Sequence, residues 1–221
     1  MSRRHIAQES KTTPDQPGST PAVRWGIGIG VVMLSGLFYW WIVSAGHFSN
    51  WPSYTGSEGY YARLADGFLL GQTYLATPPR PELLALRDPY APHDNIWFRI
   101  GDTVQIHDAL LYNGQYYLYW GPVPALLLAP LQWLTKWSVG DQELAFWYAF
   151  GLAAVNVWLI AMIYQRLYAN RSILVYLCGC LCVGFAYPVT VLLARSSVYE
   201  TAILSAQFFF MLGIACFFRT C

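Results

Sequence analysis

Charged residues are scarce in this 221-residue sequence. It has 13 Lys and Arg and 12 Asp and Glu residues, which together make up 11% of the chain. A soluble domain carries about 25% charged residues. The apolar composition excludes a disordered chain, and the formal net charge of +1 excludes a nucleic-acid partner bound through a basic surface. A water-soluble enzyme is also disfavoured, because uncharged stretches about twenty residues long recur.

Four of these uncharged stretches are long enough to cross a bilayer, and we predict that each is a helix, since a backbone in lipid must satisfy its own hydrogen bonds. They cover residues 25–45, 144–165, 172–194 and 201–218. A shorter apolar run, 123–134, contains Pro124, Pro130 and Gln132. We favour a helix lying on the membrane surface for this run, and the alternative is a fifth span.

The basic residues indicate the orientation. Arg3, Arg4, Lys11 and Arg24 place the N-terminal tail in the cytoplasm. With four spans, seven basic residues face the cytoplasm and six face outside; a fifth span would reverse these numbers. We therefore predict a disordered cytoplasmic tail (1–24), a first transmembrane helix (25–46), a periplasmic loop (47–143) and a bundle of three transmembrane helices (144–219). An uncleaved first span is favoured over a signal peptide, because both the span and the tail are long.

The periplasmic loop contains two recognisable local patterns and a surface helix. Tyr61, Leu64, Ala65 and Phe68 form one apolar stripe and predict an amphipathic helix over 58–70, with Ser57 as its cap and Glu58 in its first turn. Residues 110–117 predict a β-hairpin that turns at Asn113-Gly114. In the first span, Gly26 and Gly30 lie four residues apart and predict close helix packing.

Three absences restrict the chemistry. The predicted loop has no cysteine, so it has no disulfide, and no His or Cys spacing is typical of a metal site. We assign no metal ligand, and a requirement for a divalent metal stays open. The four predicted spans contain no Asp, Glu, Lys, Arg or His. An ion-coupled transporter usually has such residues within its spans, so this class is disfavoured.

Ionisable residues are instead expected at the outer membrane boundary, where a sugar on a polyprenyl phosphate would lie. Glu58 is our candidate catalytic base, which would take a proton from an acceptor hydroxyl, and Arg195 would bind the departing phosphate. The further substrate-binding candidates are Asp66, Asp108, Tyr61 and Glu200.

Each of the charged candidates has an alternative structural interpretation. Glu58 would complement the dipole of its helix, and Asp66 would pair with Arg63. Arg195 would anchor the end of a span at the membrane surface, and Glu200 would pair with Arg195.

Three segments resemble bacterial membrane glycosyltransferases of the GT-C class. These are SEGYYARLADGFLLG at 57–71, YNGQYYLYWGPVPA at 112–125 and VYE at 198–200. The resemblance implies polyprenyl-phosphate sugar donors, transfer on the periplasmic side of the inner membrane and an acidic residue just after the first span. The class commonly has Asp-Glu where this chain has Ser57-Glu58. It also has more than eight spans, so we expect a truncated member, or one that needs a partner subunit to supply helices.

The sequence therefore predicts an all-α, multi-pass protein of the bacterial inner membrane, with the lipid bilayer and a polyprenyl-phosphate-linked sugar as partners and no nucleic acid. The expected activity is that of an inverting glycosyltransferase. Two alternatives stay open: a non-catalytic remnant or partner subunit of the same fold, and a transporter component for lipid-linked saccharides.

Overall fold

The computed structural model describes residues 20–48, 59–91, 93–95, 106, 108–137, 139–168, 170–185 and 188–220. Within these ranges the chain is mainly helical and forms one two-stranded antiparallel sheet, which confirms the predicted all-α fold with a small hairpin. The main elements, in order, are α1 (Pro21–Val43), α2 (Tyr60–Leu69), α3 (Pro81–Leu84), β1 (Leu110–Tyr112), β2 (Gln115–Tyr117), α4 (Val123–Thr135), α5 (Asp141–Leu167), α6 (Ile173–Phe185), α7 (Val189–Ala194) and α8 (Val198–Thr220).

Four helical segments in the described part are long and apolar enough to cross a membrane, as predicted. They are Pro21–Val43, Asp141–Leu167, Ile173–Ala194 and Val198–Thr220. The third consists of two helices, since α6 ends at Phe185 and α7 begins after Pro188. A proline within an apolar run removes a backbone donor and clashes with the preceding turn, which accounts for the new helix starting there. The 13-residue α4 spans only about 20 Å and is too short to cross.

The helix α5 lies at the centre of the bundle and contacts α1, α6 and α8. Its small residues Ala145, Ala149 and Ala153 are at most 2% exposed, so neighbouring helices approach closely along this face. Chain direction alternates along α1, α5, α6–α7 and α8. One end of the bundle therefore carries α2, the hairpin, α4, the start of α5 and the α7–α8 turn; we call it the loop end.

Close packing of α1 uses different glycines from those predicted. A Cβ at Gly28 would lie 2.8 Å from the Tyr176 hydroxyl, and one at Gly36 would lie 2.7 Å from the Phe150 ring. A Cβ at Gly26 or Gly30 would meet no atom within 4 Å. The prediction for Gly26 and Gly30 was therefore wrong, because spacing alone does not indicate which side of a helix faces its neighbours.

We expect Gly36→Val to lower the free energy of unfolding by about 1 kcal/mol, since the half-buried Phe150 ring must move to make room. Gly30→Val makes the same chemical change in the same helix and is expected to be neutral. Thermal unfolding in a mild detergent compares the two variants. Equal melting temperatures would contradict the packing at Gly36.

The hairpin and α4 have the predicted positions. Leu110 pairs with Tyr117 and Tyr112 with Gln115. Asn113 (φ 48°) and Gly114 (φ 71°) both adopt left-handed backbone conformations, as a two-residue type I′ turn requires. The helix α4 packs mainly against α2. Together these elements form an apolar cluster at the loop end, whose largest fully buried members are Tyr60, Tyr61, Leu75 and Val198.

The first two helices begin at different residues from those predicted. The first helix begins at Pro21, so residues 21–24 are helical rather than part of a disordered tail; the rest of the predicted tail, 1–19, lies outside the described residues. The second begins at Tyr60 instead of residue 58, after Gly59 with a positive φ of 74°. Ser57 and Glu58, the predicted cap and first-turn residue, lie outside the described ranges.

Candidate functional site

The N-terminus of α2 is held by a carboxylate from another helix. Asp141, the first residue of α5, accepts hydrogen bonds from the backbone N–H groups of Tyr60 (3.0 Å) and Tyr61 (3.2 Å). Amides in the first turn of a helix have no partner within the helix. Gly59 at the cap position has no side chain to supply one, so Asp141 takes this role from 80 residues away.

The helix α8 joins the same point. The Thr201 hydroxyl lies 2.8 Å from the backbone carbonyl of Asp141 and 2.9 Å from that of Ser197, and its side chain is completely buried. Asp141 is itself only 3% exposed. Its carboxylate fixes α2 and its carbonyl contacts α8, so three helices meet at one residue of the loop end.

A chain of hydrogen bonds lies at the surface beside this junction. The Asp108 backbone N–H donates to the Tyr60 hydroxyl (3.2 Å), and the Tyr199 hydroxyl donates to Asp108 Oδ1 (2.9 Å). The Tyr119 and Tyr199 hydroxyls are 3.3 Å apart. Because the Tyr199 proton goes to Asp108, Tyr119 is the donor to Tyr199. We call these residues, with Trp120, the Asp108 cluster.

Three aromatic rings of the Asp108 cluster pack against one another. The Trp120 ring packs edge-on against Tyr199, with 4.3 Å between ring centroids, and lies 4.7 Å from the ring of Tyr119. Tyr119 is 56% exposed and Tyr199 is 38% exposed, so the cluster is open at the surface. An accessible carboxylate beside tyrosine and tryptophan rings can bind hydroxyl groups through hydrogen bonds and apolar ring faces through stacking.

The turn between α7 and α8 carries two of the predicted site residues. Arg195 ends α7 and is exposed. Glu200 accepts hydrogen bonds from the Ser197 backbone N–H (3.2 Å) and, at close range, from the Ser197 hydroxyl. This Ser–Glu pair three residues apart resembles a capping box, which stabilises the start of α8. No ion pair links Glu200 to Arg195 in the part of the chain that the structure describes, so the alternative pairing predicted for Glu200 was wrong.

Asp66 lies apart from the Asp108 cluster. It is six residues after Tyr60, about 9 Å along the helix axis, and is exposed. Within the described ranges it makes no ion pair with Arg63, contrary to the predicted alternative. Asp66 instead lines an open cleft between α2 and α4, with a volume of about 310 Å³. The other lining residues of this α2–α4 cleft are Leu69, Gln132, Trp133, Lys136 and Trp137.

The remaining two predicted site residues have different positions. Tyr61 is completely buried in the apolar cluster, where burial raises the pKa of its phenol and the nearby Asp141 carboxylate raises that pKa further. In this conformation the Tyr61 side chain is closed to an external substrate. Glu58, the candidate base, lies outside the described residues. Of the predicted residues, the structure therefore brings Asp108 close to the helix start that carries Glu200, and it separates Asp66 and Tyr61 from them.

Sequence reasoning missed Asp141, Tyr60, Tyr199 and Thr201. One signal was available for Asp141, since it stands three residues before a long apolar run, where the first turn of a helix favours negative charge. No local pattern shows that its carboxylate binds amides of α2. Tyr60 and Tyr199 lie in the segments 57–71 and 198–200 that carry the resemblance, but no role was predicted for either.

Among the residues that the structure describes, no group of three or more His, Cys, Asp or Glu side chains is arranged to hold a metal ion. Comparisons with known proteins found no family model, no curated protein and no solved structure that matches this chain.

Proposed function

We propose that this chain transfers a sugar from a polyprenyl-phosphate donor to an acceptor at the loop end of the bundle. The observation that supports this best is the Asp108 cluster, in which an accessible carboxylate is hydrogen-bonded to Tyr199 in the first turn of α8. Because α8 is long and apolar enough to cross a membrane, its first turn would lie near the membrane boundary in this proposal. The phosphate and sugar of a donor with its tail in lipid would lie at the same depth.

In this proposal each polar residue has a separate role. Arg195 binds the donor phosphate, since a guanidinium can donate two parallel hydrogen bonds to phosphate oxygens. Asp108 binds sugar hydroxyls, because a carboxylate can accept several hydrogen bonds. Glu58, which directly precedes Gly59, takes the proton of the acceptor hydroxyl as its oxygen attacks the anomeric carbon. The bond to phosphate breaks in the same step, and the released phosphate carries the electron pair, which gives inversion at the anomeric carbon.

A non-catalytic partner subunit is the second candidate. Two of the predicted substrate-binding residues have structural contacts, since Glu200 caps α8 and Tyr61 is buried. A subunit that binds a lipid-linked sugar but does not catalyse its transfer would need only the contacts of Arg195 with the phosphate and of Asp108 with the sugar.

The test supplies membranes containing the whole chain with radiolabelled polyprenyl-phosphate hexoses. We expect release of polyprenyl phosphate and movement of the label into a new glycosidic bond. Arg195→Gln is expected to raise the KM for the donor about tenfold, because it removes charge-assisted hydrogen bonds to phosphate. The matched control is Arg171→Gln, whose exposed side chain follows α5 at the opposite end of the bundle and is expected to leave the KM unchanged.

The alternatives give different results in the same membranes. Binding of the donor without release of polyprenyl phosphate would contradict transfer and support a partner subunit. Movement of intact donor across vesicles without a new bond would support a transporter component.

A further inference from the structure

The helix α4 is apolar on its exposed face as well as on its buried face, unlike a surface helix of a soluble protein. Its outward face is apolar, and Leu134 is 71% exposed, whereas Gln132 on its inward face is 6% exposed. The other outward-facing apolar residues are Val123, Leu126, Leu127 and Leu131, each at least 43% exposed. An exposed helix face without polar side chains is typical of contact with lipid chains.

The α2–α4 cleft lies directly beside this apolar face and contains two opposite charges. Asp66 and Lys136 both line it, and no ion pair within 4.0 Å joins them in the described part of the chain. Trp133 and Trp137, at least 60% exposed, line the same cleft. Tryptophan is enriched at the depth of lipid headgroups, and its ring face attracts cations.

A buried polar group in the cleft lacks a partner. Gln132 faces α2, and its Oε1 accepts no hydrogen bond from the described residues. A buried acceptor without a donor costs free energy, so a bound hydrogen-bond donor would stabilise this group. Rotation about the terminal amide torsion of glutamine, which is broad, can turn this oxygen toward the cleft. A ligand that fits must therefore donate hydrogen bonds to Asp66 and Gln132 and carry negative charge toward Lys136.

We propose that the α2–α4 cleft binds the headgroup of a phospholipid with a primary amine, while the acyl chains lie along the outward face of α4. The ammonium group would donate to Asp66 and Gln132, and the phosphate would contact Lys136. Phosphatidylethanolamine has this chemistry. Phosphatidylcholine has the same phosphate and charge, but its quaternary ammonium has no N–H to donate. The inference is independent of the proposed sugar transfer, since it concerns neither Arg195 nor Asp108.

The test is native mass spectrometry of the whole detergent-purified chain, incubated with dioleoyl phosphatidylethanolamine, phosphatidylcholine or phosphatidylglycerol. We expect phosphatidylethanolamine to be retained about tenfold more strongly than phosphatidylcholine. Asp66→Asn should remove this preference, whereas Lys136→Gln should weaken retention of both lipids. Glu82→Gln, which removes an exposed acidic group on α3, is the matched control and should keep the preference.

Three results would overturn the proposal. Equal retention of phosphatidylethanolamine and phosphatidylcholine would exclude recognition of the N–H groups. Equal retention of phosphatidylglycerol would indicate that hydroxyl groups are recognised instead of an amine. A preference that persists in Asp66→Asn would place the site elsewhere. Circular dichroism establishes that each variant keeps the helix content of the original chain.

Discussion

Asp141→Ala is expected to release the N-terminus of α2 from the bundle and to lower the free energy of unfolding by about 3 kcal/mol. The substitution leaves the Tyr60 and Tyr61 amides without their carboxylate acceptor. Both residues are at most 1% exposed, so water does not replace the lost partner. A hydrogen bond to a charged group contributes about 1.5 to 3 kcal/mol, and part of the gain from two such bonds is offset by the cost of burying the carboxylate.

Hydrogen exchange is the direct measurement for this variant. Exchange of the α2 amides should accelerate strongly in Asp141→Ala, and Asp141→Asn should give an intermediate rate because it keeps one acceptor oxygen. Glu143→Ala removes a partly exposed acidic residue from the same helical turn and serves as the control. Unchanged α2 exchange in Asp141→Ala would show that the carboxylate does not hold this helix.

Gly67→Ala is expected to lower the free energy of unfolding by about 2 kcal/mol. A Cβ at Gly67 would collide with the backbone carbonyl of Tyr74, which belongs to the loop after α2. That loop is fixed on both sides, because the Leu75 N–H donates to the Tyr116 carbonyl (2.9 Å) and the Ala76 N–H to the Arg63 carbonyl (3.1 Å). The cost of overpacking reaches about 3 kcal/mol, and the better helix propensity of alanine returns about 1 kcal/mol.

The matched control for this prediction is Gly121→Ala, since a Cβ at Gly121 would meet no atom within 4 Å. Thermal unfolding in detergent should separate the two variants by several degrees. Exchange of the hairpin amides should rise in Gly67→Ala alone, because the displaced loop pairs with β2. A melting temperature at or above that of the original chain would contradict the close approach of Tyr74.

The elements that sequence reasoning placed well are those encoded by neighbouring residues. Asn113-Gly114 specifies a hairpin because few residues adopt two successive left-handed conformations. The helix α4 has its predicted place, and the four spans are recognisable because an uncharged run of about twenty residues has few other stable states. The break before α7 was missed, although Pro188 stood in the sequence, because proline is tolerated in many membrane helices.

The contacts that sequence reasoning missed join residues far apart in the chain. Asp141 and Tyr60 are 81 positions apart, and no periodicity records their pairing. The same limitation explains the glycines of α1, since Gly28 and Gly30 differ only in which side of the helix meets a neighbour. For the candidate site, Asp108 and Glu200 were predicted from their residue type and from their expected position at the membrane boundary. The contacts themselves, Tyr199 for Asp108 and Ser197 for Glu200, came only from the structure.

The long separation between α2 and its cap has a consequence for biosynthesis. At translation rates of about 5 to 20 residues per second, the 81 residues between Tyr60 and Asp141 take roughly 4 to 16 seconds to make. Thr201, which contacts the Asp141 carbonyl, is made later still. During this interval α2 exists without its acceptor, so the nascent segment is exposed to proteases and chaperones until the central helix has been made and has packed against it.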